Sequence, residues 1–172
     1  MWTKLLFGCL LVFSNSVSAQ DVFESARNGN IKQLKKLIKL NKDTIQAVNQ
    51  MGFDPLMIAC YRGQTKCAEF LIKNGANVNR PSPEGSALQA ACYQNNTPLA
   101  KVLVEGKANL NVQGPDGNTA LMYAVLNQNM EMVQLLVKAG SDLKLLNKDN
   151  QSAHSLAMSL NDKEIQNIVM IK

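Results

Sequence analysis

Gly117-Asn118-Thr119-Ala120-Leu121-Met122-Tyr123-Ala124-Val125 decides how this chain folds, because its core is the third copy of one phrase. Asp54-Pro55-Leu56-Met57-Ile58-Ala59-Cys60 and Ser86-Ala87-Leu88-Gln89-Ala90-Ala91-Cys92 precede it, and Leu56, Leu88 and Leu121 stand 32 and 33 residues apart. A second marker keeps step: Asn74-Gly75-Ala76-Asn77-Val78-Asn79, then Gly106-Lys107-Ala108-Asn109-Leu110-Asn111, then Ala139-Gly140-Ser141-Asp142-Leu143-Lys144. Two markers in phase over three copies define a repeat. Units of this length bury their apolar face only against neighbouring units.

Each unit holds two short helical patterns. The first, as in Pro55 to Tyr61, opens on a proline whose missing N–H costs nothing at a helix start. Ala59, Ala91 and Ala124 leave room for a close helix–helix approach. The second, as in Thr65 to Lys73, gathers Cys67, Ala68, Phe70, Leu71 and Ile72 on one apolar face, with counterparts at Leu99 to Val104 and Met132 to Val137. Gly75 and Gly140 follow as C-terminal stops, where a left-handed residue is needed. Met51-Gly52, Pro83-Glu84-Gly85 and Pro115-Asp116-Gly117 are turn-formers that predict tight hairpins between units.

Gly-x-Thr-Ala-Leu at Gly117 to Leu121 and Gly-Ala-Asn-Val-Asn at Gly75 to Asn79 resemble the ankyrin repeat. The resemblance implies an all-α solenoid of stacked helix–turn–helix units joined by β-hairpin-like loops. It places an N-terminal cap at about 21–48, full repeats at 49–80, 81–113 and 114–146, and a C-terminal cap at 147–172. Met57, Gln89, Met122 and Ser155 stand where the family usually has a hairpin-tying histidine, which predicts looser hairpins. Lys107 replaces the glycine that ends the third repeat, with Gly106 expected to take over that role.

Residues 1–20 read MWTKLLFGCLLVFSNSVSAQ. Lys4, the nine-residue apolar run Leu5 to Phe13 and the small residues of Val17-Ser18-Ala19 predict a signal peptide cleaved after Ala19, leaving 20–172 as the repeat domain. A retained anchor is the poorer reading, since nine residues cannot span about 30 Å of hydrocarbon as a helix. Lipidation at Cys9 is disfavoured by the short apolar stretch before it. The sequence therefore predicts an exported protein of bacterial periplasmic type, periplasmic ahead of secreted, with no stable membrane insertion after cleavage.

Charge and composition remove several functions. The 18 basic and 13 acidic residues give +5, falling to +4 with Lys4 removed, and no run is dense enough to predict a nucleic-acid partner. His154 is the single histidine, which argues against metal sites and acid–base triads. It stands where the terminal repeat normally has leucine, and reads as a cap residue. No nucleophile elbow or phosphate-binding glycine loop is present. The expectation is no enzyme, no cofactor and no metal.

Cys60, Cys67 and Cys92 read as buried thiols filling small apolar sites. Cys60 and Cys92, in adjacent repeats about 10 Å apart, lie beyond the roughly 7 Å reach of a disulfide. Cys60 and Cys67 lie on neighbouring helices of one repeat, so a bond between them stays open in an oxidising compartment. Lys32, Lys35, Lys36, Lys39 and Lys42 crowd the N-terminal cap, either to meet an acidic surface or anionic lipid or, the reading preferred, as the polar outer face a terminal repeat needs. The sequons at Asn95 and Asn150 carry little weight, the first being followed by Pro98.

In an ankyrin array, hairpin tips and the exposed ends of the first helices form the concave face. There the resemblance places Met51, Phe53, Tyr61 and Arg62 in the second repeat, Tyr93 and Gln94 in the third, and Leu126 and Asn127 in the fourth. Large side chains of this kind are common interface anchors, with some expected to fold back on a neighbouring repeat. Tyr61, Tyr93 and Phe53 are the expected anchors, and Arg62 and Gln94 the hydrogen-bonding groups. The function implied is noncovalent binding of another protein by a monomer. Two alternatives remain: a stress-protective or redox-responsive periplasmic protein using Cys60 and Cys67, and an immunity or inhibitor protein for an exported enzyme.

Overall fold

The computed structural model describes residues 21–170; the segment expected to be a signal peptide, with its expected cleavage point, lies outside them. The described residues are helical without strands. A helix at 21–27 (α1) leads to α2 (Ile31–Leu40) and a 3-10 turn (Lys42–Gln46). Pairs follow: α3 (Pro55–Tyr61) with α4 (Thr65–Lys73), α5 (Ala87–Tyr93) with α6 (Thr97–Glu105), α7 (Ala120–Leu126) with α8 (Met130–Ala139), and α9 (Ala153–Ser159) with α10 (Lys163–Met170). The chain forms two compact units, one ending at Ala76 and the other beginning at Asn77.

Side-chain caps start the first helix of each pair. Asp54, Ser86, Thr119 and Ser152 each accept a hydrogen bond from the N–H three residues on, satisfying a donor that the helix start leaves unpaired. Left-handed residues then set the turns. The hairpin tips hold Gly52, Gly85, Gly117 and Asn150, and the bends between paired helices hold Gly63, Asn95 and Gln128. Gly75 (φ 95°) and Gly140 (φ 103°) end second helices as the pattern requires. The third repeat differs from expectation: Gly106 is ordinary at φ −74°, and Lys107 itself is left-handed at φ 65°. Lys107 N–H bonds Val104 and Ala108 N–H bonds Leu103, the register that Gly75 and Ala76 use on Ile72 and Leu71. Position in the turn, and not residue type, decides which residue bends.

The hairpins are tied, contrary to the looseness predicted from the missing histidines. Asn49 N–H reaches Phe53 O at 2.9 Å, Gly114 reaches Asn118 at 3.0 Å and Asn147 reaches Gln151 at 2.9 Å. Gln89, Met122 and Ser155 each accept from the N–H of their own cap residue, closing capping boxes. Gln89 Nε2 goes further and donates to Asn118 O at 2.6 Å. A long amide thus does the bridging assigned to the absent imidazole.

In the first unit the core is built by Leu34, Leu56, Ala59, Cys67, Ala68 and Leu71. In the second, α5, α7 and α9 pack in one row and α6, α8 and α10 in another. Ala91, Ala124 and Ala157 are fully buried along the first row, where the lack of a longer side chain permits the close approach. The Asn-x-Asn pattern also acquires a reason. Asn79 accepts from Asn109 N–H at 2.7 Å and Asn111 from Asp142 N–H at 2.9 Å, joining successive repeats through one side chain each.

Candidate functional site

The first helices bury their second, fifth and sixth residues almost throughout, which turns the seventh outward. That position holds Tyr61 in α3, Tyr93 in α5 and Leu126 in α7, and all three are exposed. Arg62, Gln94 and Asn127 follow as exposed C-caps.

Within the first unit, Met51 stands at the hairpin tip, 69% exposed. Phe53 is half-buried, and its ring meets the Tyr61 ring edge-on with centroids 5.6 Å apart. Tyr61 itself is 37% exposed. Phe53 therefore packs on Tyr61 and offers little surface of its own, a contact inside its own repeat and not the expected fold-back onto a neighbouring one.

Within the second unit, Tyr93 is 70% exposed and rests against Tyr123, ring centroids 5.6 Å apart and planes at 86°. Tyr123 O–H donates to Asp116 Oδ2 at 2.7 Å. Asp116 also accepts from Asn118 N–H at 2.9 Å and from Asn118 Nδ2 at 2.6 Å. Partial burial works to raise the Asp116 pKa, but these bonds to the carboxylate outweigh it and hold the value below normal. Burial and the neighbouring carboxylate together push the Tyr123 phenol up to about 12. The Tyr123 ring, its hydroxyl held by the Asp116 carboxylate, thus packs edge-on against the exposed Tyr93 ring.

Asn127 is occupied structurally: its Nδ2 donates to Cys92 O at 2.8 Å, pinning the end of α7 to the end of α5. Beside these residues, Arg80, Pro81, Pro83, Val112 and Pro115 line a groove of about 450 Å³ between two hairpins of the same unit.

Tyr123 was missed as a site residue by sequence reasoning. Its counterparts are Ile58, Ala90 and Leu156, all buried aliphatics, so a tyrosine in that series was the available signal. A hydroxyl placed at an apolar position has to find a partner.

Cys60, Cys67 and Cys92 are buried and, among the described residues, none forms a disulfide. Burial raises the Cys67 pKa to about 11 and the Cys92 pKa to about 12, and burial with nearby Asp54 raises that of Cys60 further still. A reactive cysteine needs the opposite environment. His154 is exposed on α9. Among the described residues no three His, Cys, Asp or Glu side chains gather as metal ligands, and no helix is long and apolar enough to cross a membrane.

A family model described as "Ankyrin repeats (3 copies)" matches residues 22–113 and 88–170. "Ankyrin repeat and SAM domain-containing protein 6" of Rattus norvegicus is 28% identical over 146 residues, covering 85% of this chain and 13% of the relative. "Inversin" of Gallus gallus is 41% identical over 69 residues, 40% of this chain and 6% of that protein. "Ankyrin repeat domain-containing protein 29" of Danio rerio is 34% identical over 61 residues, 36% of this chain and 20% of its own length. These relatives are eukaryotic, and the chain spans a fifth of their length or less. With the family model running through the described residues and paired helices recurring at the spacing of its motifs, the chain belongs to the ankyrin repeat family.

Proposed function

We propose that this chain is a non-enzymatic module that binds another protein through its hairpin tips and the exposed ends of its first helices. The observation that carries this reading is the Tyr93–Tyr123–Asp116 assembly, in which a largely exposed ring packs edge-on against a second ring whose hydroxyl is held by Asp116. A side chain already ordered before binding loses little entropy on contact, which is what an anchor requires. Tyr61 on Phe53 supplies a second braced ring. Arg62 and Gln94 add hydrogen-bonding groups beside them.

The partner is a protein surface with an apolar recess for tyrosine. The module acts as a monomer, without nucleic acid or cofactor. Export, to a periplasm before secretion, rests on the signal-like sequence of residues 1–20. An inhibitor or immunity role is a special case of the same binding. The redox alternative loses its support from buried thiols whose pKa values are raised.

Capture with the full chain as bait, run beside Tyr93→Ala, tests the reading. Proteins retained by the wild type and lost by the variant support it. A captured set that is identical for the two baits contradicts it.

A further inference from the structure

Helix α2 presents two unlike faces. Leu34 and Leu37 are buried and Ile31 and Ile38 half-buried, so its apolar face is already used. Lys32, Lys35, Lys36 and Lys39 are exposed at spacings of three and four residues, which places them on one outer face, and exposed Lys42 follows. The helix contains no acidic residue.

Among the described residues the neighbouring acids form no ion pair with this stripe, although exposed Asp43 follows Lys42 in the chain. Glu24 is engaged by Arg27 and Asn28, and Glu69 by Lys73. Among the described residues none of the five lysines forms an ion pair, Lys35 instead lying 5.9 Å from the centre of the Phe70 ring. Residues 21–76 carry nine basic and five acidic side chains, whereas 77–172 carry eight of each. The net charge of the repeat region therefore arises here. A face that served solubility alone would mix signs and avoid the repulsion of Lys32 with Lys36 and of Lys35 with Lys39.

We propose that the lysine stripe of α2 is a docking surface for the headgroups of an anionic lipid bilayer. Lysine is depleted at the cores of protein interfaces, where aromatic and arginine anchors dominate, and α2 carries neither. Nucleic-acid grooves likewise rely on arginine forks and stacking rings. A layer of mobile phosphates is matched by point charges on long stems. Leu40, beside Lys39, is 83% exposed and offers an apolar side chain to the headgroup region. With its apolar face packed on the protein, α2 adsorbs and does not embed, so binding is electrostatic and screened by salt. None of these lysines is among the residues proposed above for protein binding.

The test is sedimentation of the full chain with vesicles of equal parts phosphatidylglycerol and phosphatidylcholine, against phosphatidylcholine alone. The neutral vesicles report any contribution from the apolar run Leu5 to Phe13. Each lysine near the surface contributes a factor of about five in partitioning. The proposal expects at least tenfold stronger binding to the anionic vesicles, lost as ionic strength rises to about 1 M. Lys36→Glu/Lys39→Glu is expected to abolish the preference with the far-UV spectrum unchanged, while Lys138→Glu/Lys148→Glu preserves it. Equal binding to both vesicle types overturns the proposal. So does equal loss in both variants, which would reduce the effect to net charge. Tighter binding to poly-glutamate or to DNA than to the vesicles also overturns it, assigning the stripe to an acidic polymer.

Discussion

The side-chain amide of Gln89 donates to the backbone carbonyl of Asn118 at 2.6 Å, joining the start of α5 to the hairpin ahead of α7. Its Oε1 accepts from Ser86 N–H at 2.7 Å, so one buried side chain closes a cap and bridges two repeats. Gln89→Met keeps a residue type that Met57 and Met122 show to fit this position, deletes the bridge to Asn118, and leaves at most a sulfur to accept the cap N–H as in Met122. The expected cost is about 1–3 kcal/mol in urea unfolding. A loss under about 0.5 kcal/mol would show that the bridge contributes nothing.

Lys107 occupies a left-handed turn where its counterparts are Gly75 and Gly140. Lys107→Gly removes a strain of about 1–2 kcal/mol and adds about 0.5–1 kcal/mol of chain entropy cost. A net gain of up to about 1.5 kcal/mol is expected, read as a higher unfolding midpoint. The Asn79 bond to its carbonyl, at 3.0 Å, survives the change.

Glycines in this chain divide by what surrounds them. A Cβ on Gly117 would lie 2.8 Å from Lys148 N and 2.9 Å from Asn147 Cα, both backbone atoms that cannot step aside. At Gly140 nothing lies within 4 Å. Gly117→Ala should cost upwards of about 3 kcal/mol, and Gly140→Ala only the left-handed penalty of about 1–2 kcal/mol. Equal thermal shifts for the two would refute the distinction.

The Asp116–Tyr123 bond has a pH window. The Asp116 pKa is lowered on folding, so its stabilisation is present above the unfolded carboxylate value and is lost as pH falls through the lower folded one. Tyr123 is raised to about 12, so its share is present below the unfolded phenol value and lost as pH rises through about 12. Tyrosinate absorbance should show one phenol titrating late in the wild type. In Asp116→Asn that phenol should move down toward the others.

Much of this architecture is legible in the residues. Leu56, Leu88 and Leu121 fix the period, and Asp54, Ser86, Thr119 and Ser152 fix the helix starts, because caps and buried leucines are local requirements. Other features depend on how turns aim side chains through space. Residue preference favours Gly106 as the bending residue, whereas turn register selects Lys107. Gln89 looked like a loss because a histidine was missing, though its amide has the reach to bridge. Exposure of Met51, Tyr61, Tyr93 and Leu126 follows from the repeat pattern. The bracing of Tyr93 by Tyr123 and Asp116 does not, since it depends on the angle between a hairpin and the next helix.

The most direct measurement is the dissociation constant of the captured partner for wild type and for Tyr61→Ala/Tyr93→Ala, by calorimetry. A Lys101→Ala/Gln134→Ala variant, altered at exposed second-helix positions, serves as control. The tyrosine-face account predicts that the tyrosine variant weakens binding by at least about 2 kcal/mol, roughly thirtyfold, with the control unchanged. An unchanged dissociation constant for the tyrosine variant would contradict it.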